Sequence, residues 1–224
     1  ATAVFPRATE SAAASLYALP SRDVFQAQLD SARAAGPDGH NAQDATLAKM
    51  EKEALVKYGV DTVEELPINF DGVRMQVDEE FGNRIWDEHY RVLSAQMNRQ
   101  LTVASLAAVL NPFQAVDHVS MALAGTDMFH DLAFQEQAET HRRSMIEKLN
   151  NEHAYGGSKT GDWDWNASAE FFADIEEFRY QTPALGDALE PRGVELASLL
   201  LWLVLVVVAM MYGADRVERG SLPC

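Results

Sequence analysis

The sequence predicts an all-α protein: a helical domain with long amphipathic helices, followed by one C-terminal transmembrane helix. Three observations carry this. No convincing run alternates apolar and polar residues with period two, so a sheet is not indicated. Trp86, Tyr90, Leu93, Met97 and Leu101 recur at spacings of 4, 3, 4 and 4, which is one stripe along a helix. Val194–Tyr212 reads VELASLLLWLVLVVVAMMY, with no ionisable group except Glu195 at its start and the closing tyrosine. A spanning helix needs roughly 20 apolar residues at about 1.5 Å each, and this run is just long enough. Leu205 to Met211 shows no polar face, unlike the helix of a soluble core.

Taken in order, Ser21 is an N-cap for a helix to about Ala35, and Ala35–Asn41 (AGPDGHN) breaks it. A second helix runs from Asp44 to Tyr58 and closes at Gly59. Thr62–Glu65 has capping-box form, with Pro67 ending that helix at once. Leu66–Gly72 (LPINFDG) is irregular. A long helix follows from about Val73 to Asn111; Phe81 and Ile85 widen its stripe, and Thr102–Leu110 is small and apolar, suited to a core or to the neighbourhood of a bilayer. Asn111 and Pro112 are the cap and first residue of the next helix, which Gly125 interrupts. Asp127 to Tyr155 is helical, Tyr155–Gly161 a loop, Ala167–Glu177 a short helix, and Phe178–Pro183 extended, since a residue before proline avoids helix.

The formal net charge of the 224 residues is −16. Residues 193–224 carry three acids and two arginines, so −15 belongs to residues 1–192. That balance argues against nucleic acid and against tight adhesion to anionic lipid. Cys224 is the only cysteine of the 224 residues, so no disulfide within them is expected, and no prenylation motif is expected at it. Arg216 and Arg219 follow the apolar run and Arg192 precedes it, which favours a cytoplasmic C-terminus. Residues 1–192 would then lie outside, and a segment upstream of Ala1 would have to carry them there.

Candidate chemistry is sparse. Gly157-Ser158-Lys159-Thr160 lacks the glycine before lysine and the leading strand of a phosphate-binding loop. The histidines are His40, His89, His118, His130, His141 and His153, with no HExxH. Asp127, His130 and His141 come nearest to a metal-ligand pattern, but such spacing is common in helices, and packing histidines are the simpler reading. No G-x-S-x-G elbow occurs, so no catalytic residue, metal or cofactor is assigned. Asp162, Asp164, Glu170, Asp174, Glu176 and Glu177 crowd beside Trp163, Trp165, Phe171 and Phe172. The patch reads either as a docking surface centred on Trp163, Trp165, Phe171, Phe172 and Asp174, or as a short amphipathic helix that packs its aromatics and wets its acids. Asn166-Ala-Ser168 matches a glycosylation sequon, a pattern frequent by chance.

Four segments carry a family likeness: Glu65–Gly72 (ELPINFDG), Glu79–Arg84 (EEFGNR), Ser120–Asp127 (SMALAGTD) and Phe178–Pro183 (FRYQTP), ahead of a final span. From about Pro20 onward the chain resembles bacterial ABC-2 type transporter permeases of a class whose cargo is uncharacterised. The resemblance rests on Leu66, Pro67, Asn69, Phe70, Asp71 and Gly72 and on Gly125, Thr126 and Asp127. It implies a division into a connector from an upstream membrane segment (1–20), an extracytoplasmic helical domain (21–183), a second connector (184–193), the transmembrane helix (194–213) and a cytoplasmic tail (214–224). It further implies the bacterial inner membrane, a separate cytoplasmic ATPase subunit, a second permease subunit, and transport rather than catalysis. A single-span membrane-anchored binding or sensor domain is the alternative. A membrane-tethered hydrolase or metalloenzyme is the third.

Overall fold

A computed structural model describes residues 11–36 and 45–220. His40, Asp44, Cys224, the first ten residues and 221–224 lie outside them. Among the described residues all regular structure is helical. Residues 11–16 are helical, and the labelled elements are α1 (Arg22–Ala34), α2 (Ala45–Tyr58), a 3₁₀ turn (Val63–Glu65), α3 (Phe70–Ala108), α4 (Pro112–Ala124), α5 (Met128–Tyr155), α6 (Ala169–Ala173), α7 (Leu185–Leu189), a second 3₁₀ turn (Glu190–Arg192) and α8 (Gly193–Gly220).

Several boundaries follow the expected signals. Ser21 Oγ accepts from Val24 N at 3.3 Å and starts α1. Asn111 Oδ1 accepts from Phe113 N at 3.3 Å, with Pro112 at the first position of α4. Gly125 ends α4 in the left-handed conformation, φ +69°, which a side chain would strain. Other expectations are corrected. The capping box at Thr62 does not form; Thr62 makes no side-chain cap, and Glu65 Oε2 instead accepts from Asp61 N at 3.1 Å. α3 begins at Phe70 rather than Val73, because Asn69 Oδ1 caps it through Asp71 N at 2.9 Å. It ends at Ala108, short of Asn111. The helix expected over Ala167–Glu177 shrinks to α6, five residues behind the Ser168 cap. Within the 184–193 connector, residues 185–192 are helical.

The chain forms two compact units. One comprises Pro20–Ser94 and Glu136–Tyr180. Here the first part of α3 runs antiparallel to the second part of α5, since Asn69, Gln76, Asn83 and Asp87 bond in turn to Ala154, Asn150, Arg142 and Arg143. Arg142 reaches Glu79 and Glu139, both at 2.8 Å. Arg143 grips both Asp87 oxygens, at 2.6 and 3.0 Å. These hydrogen bonds hold the Asp87 carboxyl below the usual carboxylate range. Trp86 stacks on Tyr90 at 3.6 Å, and Phe25 of α1 meets Tyr90 edge-on at 5.2 Å. Of the expected stripe, only the flanking Ile85 is fully buried; Trp86, Tyr90 and Leu93 are half-buried.

Gly72 packs where a side chain does not fit. A Cβ there would lie 2.6 Å from the Ala154 nitrogen and 2.8 Å from its Cα. Gly72→Ala is expected to lower stability by about 1–3 kcal/mol through overpacking against backbone. Gly82, inside the same helix, has nothing within 4 Å of its Cβ position. Gly82→Ala is therefore expected to raise stability by about 0.5–1 kcal/mol through helix propensity. Opposite shifts in denaturant midpoint for the two variants are the check.

The other unit comprises Ala1–Leu19, Ala95–Gln135 and Gln181–Cys224, of which 11–19, 95–135 and 181–220 are described. Here α4 lies against α7 and α8. Residues Leu185–Arg219 make one helical stretch whose most apolar 18 residues have a mean hydropathy of 2.6, with only 11% buried. A soluble core helix would be mostly covered. From Leu203 to Tyr212 the large side chains are exposed on every side. This is a helix long and apolar enough to cross a membrane.

Candidate functional site

The unit that carries the membrane helix contains a buried charged network at the base of that helix. Ionisable side chains are expensive to bury and are retained only where partnered. Glu195, in the first turn of α8, is fully buried. Its Oε1 accepts from Ser105 Oγ of α3 at 2.6 Å and from His118 Nδ1 of α4 at 3.0 Å. Arg192 Nη1 stands 3.6 Å from the same oxygen. Through Nη2, Arg192 donates to Asp127 Oδ2 at 2.8 Å. Asp127 Oδ1 accepts from His130 Nδ1 at 2.6 Å and from the His130 backbone N–H at 3.2 Å. A carboxylate only accepts, so both imidazoles carry their hydrogen on Nδ1. One guanidinium thus faces two carboxylates, and the hydroxyl and imidazole donors spread the remaining negative charge.

Below the network the same helix makes two more contacts. Ser198 Oγ donates to Ala108 O at 3.1 Å, and Trp202 Nε1 donates to Val109 O at 2.9 Å. Ala108 is the last residue of α3, and its carbonyl also accepts from Asn111 N at 3.2 Å; Val109 is the first residue of the turn that follows.

Burial by itself would raise the Asp127 pKa. The hydrogen bonds from the His130 ring, from Arg192 and from the His130 backbone outweigh it and hold the carboxyl below its ordinary 3.8. A carboxylate depressed in the fold stabilises above its unfolded pKa and loses that contribution as pH falls through the folded value. Stability is therefore expected to drop on acidification below about pH 4, with Asp127→Asn flattening that acid limb. Unfolding midpoints measured from pH 6 down to pH 3 check this.

The other unit holds a second polar cluster, a clasp that closes the loop after α5 onto the start of α3. Asn69 N donates to Ala154 O at 2.8 Å, and Asn69 Nδ2 donates to Ser158 Oγ at 2.8 Å. Ser158 Oγ donates to His153 O at 2.6 Å. Phe70 N donates to Thr160 Oγ1 at 2.9 Å, and Gly161 N to Asp71 Oδ2 at 2.9 Å. Lys159 Nζ reaches Leu66 O at 3.3 Å. The loop that superficially resembled a phosphate cradle thus binds the chain's own backbone and side chains.

The three weak metal candidates part company. Asp127 and His130 meet in the network, whereas His141 belongs to the other unit, 5.5 Å from the Phe178 ring. There it lines a depression of about 190 Å³ with Lys148 and Glu176. Among the described residues no three His, Cys, Asp or Glu side chains gather as a metal site would require. The acidic aromatic patch divides its aromatics: Trp165 and Phe171 are half-buried, while Trp163 is 73% exposed and Phe172 54%. Trp165 leans toward His153 at 5.9 Å, and Phe171 meets Phe172 edge-on. Asp174 takes the Lys148 ammonium at 2.7 Å.

Residues 24–181 match a family model described as a domain of unknown function, DUF3526. The chain belongs to the DUF3526 family. Comparison with curated proteins and with solved structures finds no match. The DUF3526 match contains the clasp together with Ser105, His118, Asp127 and His130 of the network, and it ends ahead of Arg192 and Glu195. Two of the four segments that carry the sequence resemblance have distinct tasks here. Asn69–Gly72 of the DUF3526 domain forms the clasp, and Gly125–Asp127 is the turn that delivers Asp127 to Arg192. Sequence reasoning missed Ser105, His118, Arg192 and Glu195 as site residues. The available signal was Glu195 itself: an ionisable residue opening an apolar span calls for a named partner.

Proposed function

We propose that this chain is the helical domain and last span of an ABC-2 type transporter permease in a bacterial inner membrane. It moves its substrate with a separate cytoplasmic ATPase subunit and a second permease subunit, and residues 1–192 lie mostly on the extracytoplasmic side. The observation that carries this reading is the join at the base of α8. The first three turns of the span, with Arg192 just ahead of them, are tied to α3 and the turn after it, to α4 and to the α4–α5 turn through Arg192, Glu195, Ser198 and Trp202. A passive anchor needs only a linker. A helix that transmits movement needs a rigid, directional joint, and buried charged hydrogen bonds supply one.

A single-span binding domain is the second reading, favoured by an open groove of about 470 Å³ along α4, lined by Gln114, Asp117 and His118 among others. Purification of the protein from its own membranes separates the two. Recovery with an ATP-binding-cassette subunit, and ATPase activity that rises on reconstitution together, is the expected result. Recovery free of any such subunit, with a small molecule retained in the groove, favours the binding domain and contradicts the permease.

A further inference from the structure

The elbow between α3 and α4 exposes a row of large apolar side chains. Leu106 is 60% exposed, Leu110 71%, Phe113 65% and Val116 51%. Their depth is fixed by what the elbow touches on α8. Its carbonyls at Ala108 and Val109 accept from Ser198 and Trp202. At about 1.5 Å per residue those two residues lie roughly 6 and 12 Å beyond Val194, where the apolar run of the span begins. A helical side chain leans toward its own N-terminus, which moves the contact back by less than a turn. Even so, the elbow stands beside the hydrocarbon-crossing part of the helix rather than above it.

Several polar groups of the elbow also find partners within the protein, although the buried Gln114 Oε1 has none. In water the carbonyls at the end of α3 and in the turn after it could bond solvent. Here two of them take donors from the span, Ala104 O accepts from the buried Gln114 Nε2 at 3.3 Å, and Phe113 N donates to Asn111. Irregular backbone at membrane depth is tolerated only where such partners exist. A surface turn has no need of them.

We infer that the α3–α4 elbow is a re-entrant element: Leu106, Leu110, Phe113 and Val116 enter the acyl region of the leaflet nearest the domain, alongside α8. The occupant of this apolar face is lipid, continuous with the lipid around the span. The inference rests on α8 crossing the bilayer, and its test separates the two.

Single cysteines are introduced in a Cys224→Ser background at Leu110, Phe113, Leu205 and Trp163. Each is spin-labelled and reconstituted in phosphatidylcholine vesicles, and the label's collision rates with oxygen and with a water-soluble nickel chelate are compared. Leu110→Cys and Phe113→Cys are expected to favour oxygen severalfold, as Leu205→Cys does, while Trp163→Cys favours the chelate. Chelate-dominated collisions at Leu110 and Phe113, with Leu205 still in lipid, overturn the elbow and leave the span. Low collision rates with both reagents at Leu110 and Phe113 mean that protein covers the face, and also overturn it. Chelate-dominated collisions at Leu205 remove the span and the elbow together.

Discussion

Arg192→Met is expected to destabilise the unit that carries the membrane helix by about 3–5 kcal/mol, the usual cost of removing one partner from a buried ion pair. The change leaves Asp127 and Glu195 facing each other's field at almost full burial with no cation between them. Methionine fills the volume but donates no hydrogen bond. Pairing the change with Asp127→Leu is expected to recover part of the loss, because the second substitution removes one of the stranded charges. The measurement is equilibrium unfolding in mixed detergent micelles for the two single variants and the double variant. Strict additivity would mean that the 2.8 Å contact contributes no coupling of its own.

Asn69→Ala is the second large effect, at about 2–4 kcal/mol, from the lost α3 cap and the hydroxyl left without its donor. Asn69 is fully buried and ties three segments: Asp71 N at the start of α3, Ser158 Oγ in the loop, and, through its backbone, Ala154 O at the end of α5. Alanine keeps only the last. The Ser158 hydroxyl stays buried and loses the amide it accepted from, although it still donates to His153 O. Asn69→Asp is the informative companion. It restores the cap acceptor but supplies no donor to Ser158 and buries a carboxylate, so at neutral pH its stability is expected to fall at least as far as that of alanine. Faster proteolysis within the 156–161 loop of the alanine variant would locate the damage at the clasp.

Helices were legible in the sequence wherever a local signal sets them. Ser21 caps α1, Asn111 and Pro112 open α4, and Gly125 closes it, because each acts on its own nearest neighbours. The span was legible from composition alone. The misses came from contacts distant in sequence. The start of α3 moved to Phe70 because Asn69 is held by Ala154 and Ser158, 85 and more residues away. Thr62 lost its expected cap, and the acidic aromatic segment formed only five helical residues, for which local propensity offered no warning. The candidate site was legible in halves. Asp127 and His130 stand out by their spacing, and Glu195 as the one acid at the start of the apolar run. Nothing local joins them; Arg192 does so by reaching across 65 positions. His141 shared a helical periodicity with His130, yet α5 contributes to both units and the two histidines fall in different ones.

A membrane helix keyed to its domain differs from a tethered one in a single measurable way. With spin labels at Ser120→Cys on α4 and Leu200→Cys on α8, both exposed and both in the same unit, pulsed dipolar spectroscopy in lipid nanodiscs reads the distance between them. In a Cys224→Ser background with excess unlabelled protein, a single narrow distribution is expected. Arg192→Met is expected to broaden it. A broad distribution in the otherwise unaltered chain would contradict the joint and return α8 to the role of an anchor.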